Sequence, residues 1–259
     1  MRSKQKAARE ERQMSMAMDT FYATSPSRAH WNPFSRSAAG EIAGASKASS
    51  VDEDLRALQQ IGAKVRYGRN ETIFSDGDEA ATCYKIVSGA VRLCKHMSDG
   101  RRQIADFLLA GDFFGFMQFG NYKFTAEAVG DVVLLCYPQI QVARLSSSMP
   151  NLRGRLLVLL SQRLLGMQDH LVMLGRQTAK ERVSSFLLHI AERSDAEEGL
   201  AFELPMSRQD VADYLGLTIE TVCRMLSELK RARIIAIPSI SQVVLNDMEA
   251  LQALSEGGE

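Results

Sequence analysis

The rhythm of hydrophobic and polar positions changes three times along the chain. From residue 1 to about 50, branched aliphatics are sparse and Ser, Ala, Arg and Lys dominate. Such a segment cannot bury enough apolar surface to offset the entropy of ordering it, so residues 1–50 are expected to form a disordered tail. Met14, Met16 and Met18 leave room for a later translation start. Val51 to Ile61 reads as a short helix. Beyond it, short apolar runs alternate with turn residues: Thr72-Ile73-Phe74, Cys83 to Val87, Ala90 to Lys95, Gln103 to Leu108, Phe113-Phe114-Gly115, Phe124 to Val129 and Val132 to Tyr137. Gly, Asp and Asn separate them. Many short strands at close spacing predict a compact antiparallel β-roll over 51–148.

After Pro138 the period becomes helical. Pro150 suits the first turn of a long helix over 149–176, with Ser148 nearby as its cap and Gly175 near its stop. Within it Leu157, Leu160, Leu164, Met167, Leu171 and Leu174 recur at alternating steps of three and four, the spacing of a coiled-coil seam. An ordinary buried helix is the competing reading. It would carry a wider stripe, so the narrow one predicts pairing of two copies, a homodimer. Leu152, Leu156 and Leu159 form a second set expected to pack on the roll. Asp169 falls between Met167 and Leu171, where the like charges of two copies would weaken the dimer. His170 beside it is expected at the surface.

The last segment, 177–259, carries the strongest local signals. Thr178-Ala179-Lys180-Glu181 has the spacing of a capping box and opens a helix through about Arg193. Ser207 can cap a helix from Arg208 to Leu215, Gly216 supplies a tight turn, and Thr218 can cap a second helix running from Ile219 to about Lys230. Val211, Ala212 and Leu215 face Val222, Met225, Leu226 and Leu229. Two short helices joined in this way are a helix-turn-helix. The second would offer Glu220, Thr221, Cys223, Arg224, Ser227 and Glu228 to a major groove, with Ser207, Arg208 and Thr218 beside it. Arg224 suits the two acceptors of a guanine edge, and Glu220 can accept from a cytosine or adenine amine. A solvated ion pair between them, four residues apart, is the alternative. Lys230, Arg231 and Arg233 can meet phosphate or satisfy the helix's last carbonyls. Ile234 to Ile237 and Gln242 to Leu245 complete a two-stranded wing. The fold class is therefore α+β: an antiparallel roll, a long dimerisation helix and a C-terminal winged helix-turn-helix.

Net charge is +0 and pI about 6.9, so bulk electrostatics do not announce a nucleic-acid partner. From Leu204 to Asp247, bases 208, 224, 230, 231 and 233 balance acids 210, 213, 220, 228 and 247. Weak non-specific binding and dependence on the dimer follow. No apolar stretch suits a bilayer and the N-terminus lacks a signal-peptide core, which points to the cytoplasm. Cys83, Cys94, Cys136 and Cys223 lack the spacing of a disulfide framework or zinc site. There is no phosphate-binding glycine loop, nucleophile–base pair or metal-ligand cluster, so an enzyme is the least favoured class.

The order of parts from about Asp52 to Leu254 resembles the Crp/Fnr family of bacterial regulators. Leu109-Ala110-Gly111-Asp112, Met149-Pro150-Asn151-Leu152-Arg153, Tyr214-Leu215-Gly216-Leu217-Thr218 and above all Glu220-Thr221-Val222-Cys223-Arg224 look like its Fnr and FixK branch. The resemblance implies transcription activation from a palindrome of the type TTGAT-N4-ATCAA, with Glu220 and Arg224 on the TTGA core, and contact with RNA polymerase. The exposed turn at Gly111-Asp112 is a candidate polymerase surface.

Departures from the family pattern carry expectations of their own. Cys223 stands where the family has Ser. A thiol on a DNA-reading face is a weaker donor, and its oxidation would add bulk and charge there. The first cysteine is Cys83, and Cys136 lies one place from the expected inner ligand, so an iron–sulfur cluster is not expected. Phe116 occupies the place of the ribose-binding Glu. Asn121 to Thr125, with Lys123, lacks the phosphate-binding Arg, so no cyclic nucleotide is expected either. A regulator of the same fold gated by another small molecule in the roll is the alternative.

Overall fold

The computed structural model describes residues 56–58, 60–116, 120–194 and 196–258, all within one compact unit. The expected tail at 1–50 and half of the helix expected from Val51 lie outside the described residues; 56–58 and 60–61 are helical.

The roll consists of two four-stranded antiparallel sheets. One has the order β1-β8-β3-β6, with β1 Ala63–Tyr67, β8 Val132–Pro138, β3 Thr82–Ser88 and β6 Phe113–Phe114. The other has the order β2-β7-β4-β5, with β2 Thr72–Phe74, β7 Thr125–Ala128, β4 Val91–His96 and β5 Arg102–Leu108. Only β1 is absent from the runs read in the sequence; its Lys64 and Arg66 break the apolar pattern. The space between the sheets is filled by side chains. Phe74 stacks on Tyr122 with ring centroids 3.7 Å apart, and Tyr84 stacks on Phe114 at 5.0 Å. Ile86, Val91, Leu108 and Leu134 close the same cluster. The Tyr122 hydroxyl donates to the Thr82 carbonyl, which satisfies the one polar end that this ring brings inside.

Two helices follow, α1 (Gln139–Ser148) and α2 (Pro150–Arg176). Pro150 sits in the first turn of α2, where its missing N–H costs nothing. The N-cap, however, is Met149, without a side-chain bond. Ser148 closes α1 instead, and its hydroxyl donates back to the carbonyls of Arg144 and Leu145. A hydroxyl inside a helix finds such a carbonyl more readily than the next helix's N–H groups. Leu152 is buried with Val142, Cys83 and Tyr137, and Leu156 packs against them. Leu159 stays half-buried outside that cluster. Arg163 ties α2 to the roll, donating to the Phe113 carbonyl at 2.8 Å and to Asp106 at 2.6 Å.

The C-terminal part comprises α3 (Ala179–Arg193), β9 (Ala201–Glu203), α4 (Arg208–Leu215), α5 (Ile219–Arg231), β10 (Ile235–Ser239), β11 (Gln242–Leu245) and α6 (Met248–Ser255). The wing is a three-stranded sheet ordered β10-β11-β9, with β9 added to the two strands expected. One apolar cluster joins Ala90, Ile104 and Phe107 of the roll to Met173 of α2 and to Val183, Leu187, Leu215, Val222 and Leu229 behind the helix-turn-helix. Roll and C-terminal part therefore share a core.

Candidate DNA-reading surface

Three side-chain caps build this surface. Thr178 accepts from the Glu181 N–H while Glu181 accepts from the Thr178 N–H at 2.8 Å. Ser207 and Asp210 form the same reciprocal pair at the start of α4. Thr218 accepts from the Thr221 N–H at 3.2 Å and fixes the start of α5. Between α4 and α5, Gly216 takes φ +62°, a left-handed value that costs a side chain about 1–2 kcal/mol but costs glycine little. Arg182 of α3 braces this turn. It donates to the carbonyls of Gln177, Leu174 and Leu215, each at 2.9 Å, and so joins the end of α2 to the end of α4.

Val222, Met225, Leu226 and Leu229 are buried, which turns the opposite face of α5 outward. Glu220, Cys223, Arg224 and Ser227 are exposed, and Thr221 is half-buried. Its own backbone N–H, then the Thr218 hydroxyl, hold Glu220 below the usual carboxylate range. Glu220 and Arg224 are both exposed, and no ion pair joins them among the described residues. Ser227 donates its proton to the Cys223 carbonyl at 2.7 Å and keeps only acceptor capacity for a partner. Thr218 and Thr221 hydroxyls lie 3.1 Å apart. Arg208 is half-buried. Burial holds its guanidinium below the usual arginine value, and Cys223 is close enough to oppose that shift. Its Nη1 has no hydrogen-bond partner. Beyond α5, Lys230, Arg231 and Arg233 are exposed, with Arg233 at φ +61° where the chain turns into the wing.

Along α2, Leu157, Leu160, Leu164, Met167 and Leu171 lie between 46% and 68% exposed. Leu174 differs: it is half-buried within its own chain, close to Gly216. Asp169 is half-buried, its Oδ2 has no partner, and burial raises its carboxyl. His170, expected at the surface, stacks on Tyr214 at 4.1 Å. Neither of its ring nitrogens has a hydrogen-bond partner. The stacking partner comes from α4, 44 residues away in sequence, so no local pattern signals it.

Residues 181–254 match the Crp-like helix-turn-helix domain family and residues 64–148 the cyclic nucleotide-binding domain family. The chain is 41% identical over 235 residues to the nitrogen fixation regulation protein FixK of Azorhizobium caulinodans, covering 88% of this chain and 94% of that one. The chain is a FixK-type member of the Crp/Fnr family. It is also 32% identical to the transcriptional activator protein FnrL of Cereibacter sphaeroides, over 80% of this chain and 85% of that protein. The solved structure of FixK2 from Bradyrhizobium japonicum superposes with a TM-score of 0.73 at 36% identity, covering 77% of this chain and all of that one. The regulator is thus a FixK/Fnr-like transcriptional activator with a DNA-binding helix-turn-helix. Among the described residues no helix is long and apolar enough to cross a membrane.

The family's cofactors can be tested against the residues present. The stack of Phe74, Tyr122, Tyr84 and Phe114 occupies the interior of the roll, and these residues do not fit a bound nucleotide. Cys83, Cys136 and Cys94 pack against three different apolar clusters and do not converge as ligands of one iron–sulfur cluster. One group not evident from spacing does assemble: the ligand atoms of Cys94, His96 and Glu127 lie within 4.8 Å of one another. Glu127, though, accepts from Arg92 at 2.8 Å, and burial, then Glu127, push the Cys94 thiol up to about 12. A neutral thiol beside a guanidinium-bound carboxylate is a poor metal site.

Proposed function

We propose that the regulator works as a homodimer on a palindrome of the TTGAT-N4-ATCAA type, reading the TTGA core with Glu220 and Arg224. The observation that carries this is the exposed, ionised Glu220 one turn before the exposed Arg224 on a helix whose other face is buried. A carboxylate near phosphates is unfavourable unless it meets a base amine, so an acid held ionised at this position suits base reading. The exposed seam of α2 supports the dimer, and a two-fold protein calls for a two-fold site. RNA polymerase is the expected protein partner.

The reading requires neither a cyclic nucleotide nor an iron–sulfur cluster, because the roll's interior is packed with its own side chains and the neighbouring Cys83 and Cys136 face different clusters, with Cys94 in a third. The same packing disfavours a small-molecule gate in the roll. Control passes instead to the reading face. Peroxide converts the exposed Cys223 thiol to sulfenic acid with release of water, and further oxidation yields a sulfinate. An anion there would repel phosphate and engage the neighbouring half-buried Arg208. The test is binding of the purified protein, without added ligand, to a duplex carrying the palindrome. Tight binding that requires both half-sites supports the reading. Equal affinity for the palindrome and a scrambled duplex overturns it.

A further inference from the structure

Asp210 is among the most buried charged residues described, 3% exposed, and its two oxygens do different work. One accepts from the Ser207 N–H at 3.1 Å and the Ser207 hydroxyl at 2.7 Å, closing the cap of α4. The other accepts from Arg92 of β4 at 3.2 Å and Arg102 of β5 at 2.6 Å. Arg92 is itself 6% exposed and is held from behind by Glu127 at 2.8 Å and Asn70 at 3.1 Å. Arg102 also grips Asp213, one turn further along α4, at 2.8 Å. Burial alone raises the Asp210 carboxyl, but Ser207 and the two guanidinium charges outweigh it and keep it below the usual carboxylate range. The pairs are therefore charged and directional.

We infer that Arg92, Arg102, Asp210 and Asp213 are positioning residues that lock the helix-turn-helix to the roll and so fix the distance and rotation between the two recognition helices of the dimer. This rests on the proposed homodimer and palindrome. The linkage is continuous. Arg163 joins the seam helix α2 to the roll, the roll's Arg92 and Arg102 hold α4, and α4 carries α5 through a three-residue turn. Apolar contact also joins roll and C-terminal part, as do Arg193 of α3 to Asp112 and the Phe107 carbonyl and Gln103 to the Tyr214 carbonyl, but only Arg92 and Arg102 bring charge from two strands onto the carboxylates of α4. Rigidity matters because each base pair added between half-sites moves them by about 3.4 Å and turns them by about 35°. A locked dimer discriminates spacers that a hinged one accepts.

The experiment measures anisotropy-detected affinity for duplexes with three, four or five base pairs between half-sites, and for an isolated half-site. It compares the native protein, Arg92→Gln/Arg102→Gln and Arg102→Gln alone. Asp210 is left intact because it also caps α4. The native protein is expected to prefer four base pairs. In the double variant that preference falls by about tenfold while half-site affinity and dimer formation are retained. A general loss of stability would weaken all duplexes together and leave the preference unchanged; that result overturns the latch. If the double variant does not fold by circular dichroism, Arg102→Gln, with its side chain at the rim, decides between the same two outcomes. If the native protein itself binds all spacers alike, the palindrome reading falls, and the latch with it. If it discriminates and so do the variants, the latch alone falls.

Discussion

Cys223 sits between the two residues proposed to read bases, and its chemistry decides whether the reading face is also a sensor. The thiol is exposed and Arg208 lies close to it. Peroxide is expected to weaken operator binding of the native protein by about tenfold or more, whereas Cys223→Ser keeps full affinity. Equal responses of the two proteins would sink the redox proposal. Much at this scale is legible in the sequence because it is local. Ser207, Thr218 and the Thr178–Glu181 pair each bond a backbone group three residues away. The orientation of Glu220, Cys223 and Arg224 follows from the buried positions between them. What spacing cannot tell is which charges survive at the surface. The sequence balances five acids against five bases, yet Asp210 and Asp213 are paired with roll arginines behind the reading face. The DNA side is more basic than the composition implies. Non-specific binding should accordingly fall more steeply with salt than a neutral domain would show.

Among the elements, α2 carries the clearest sequence signal and the clearest exposed stripe. Leu164 at 57% and Leu171 at 68% exposed stand in water on one chain, and the proposed homodimer would cover them. Asp169 is the irregular position. Its carboxylate is already partly desolvated within one chain, with Oδ2 unpartnered. Pairing two copies there adds like charge at close range. Asp169→Ala is expected to tighten dimerisation, seen in sedimentation equilibrium as a lower dissociation constant; an unchanged constant would refute it. Position-by-position reading fails where an element's neighbour is distant in sequence. His170 looks like a surface residue until Tyr214 of α4 stacks on it. Ser148 looks like a cap until α1 is seen to run up to it and claim its hydroxyl.

At the scale of the whole molecule, one shared core joins roll, seam helix and helix-turn-helix, and it encloses two neutral histidines. Burial, then the charge of Arg182, lowers His170 to about 4. Burial, then Arg193 and His170, lowers His189 to about 3. In the unfolded chain both titrate near 6.5. The unfolded state therefore takes up protons first as pH falls. The stability these two histidines contribute is complete above about pH 6.5 and declines through the window down to pH 4 and 3. Melting temperature is expected to fall between pH 8 and pH 5, by about 2–4 °C for each kcal/mol lost. In His170→Phe, which keeps the stack on Tyr214, that fall should be smaller. An equal fall would remove His170 from the account. The roll's antiparallel strands were legible because each run is short and bounded by turns. The latch was not, because Arg92 and Asp210 are 118 residues apart and each reads alone as a surface charge.

The most direct test of the central claim is a titration of purified native protein, free of added ligand, against TTGAT-N4-ATCAA duplexes with single symmetric base changes, alongside Arg224→Ala. The account predicts binding in the range of specific regulators, about 10⁻⁸ M or tighter, and a loss of roughly 1–3 kcal/mol when the guanine of the core is replaced. Arg224→Ala should lose a similar amount on the native site and become indifferent to that base. Equal affinity for all duplexes, or an Arg224→Ala protein that still distinguishes the guanine, would contradict it.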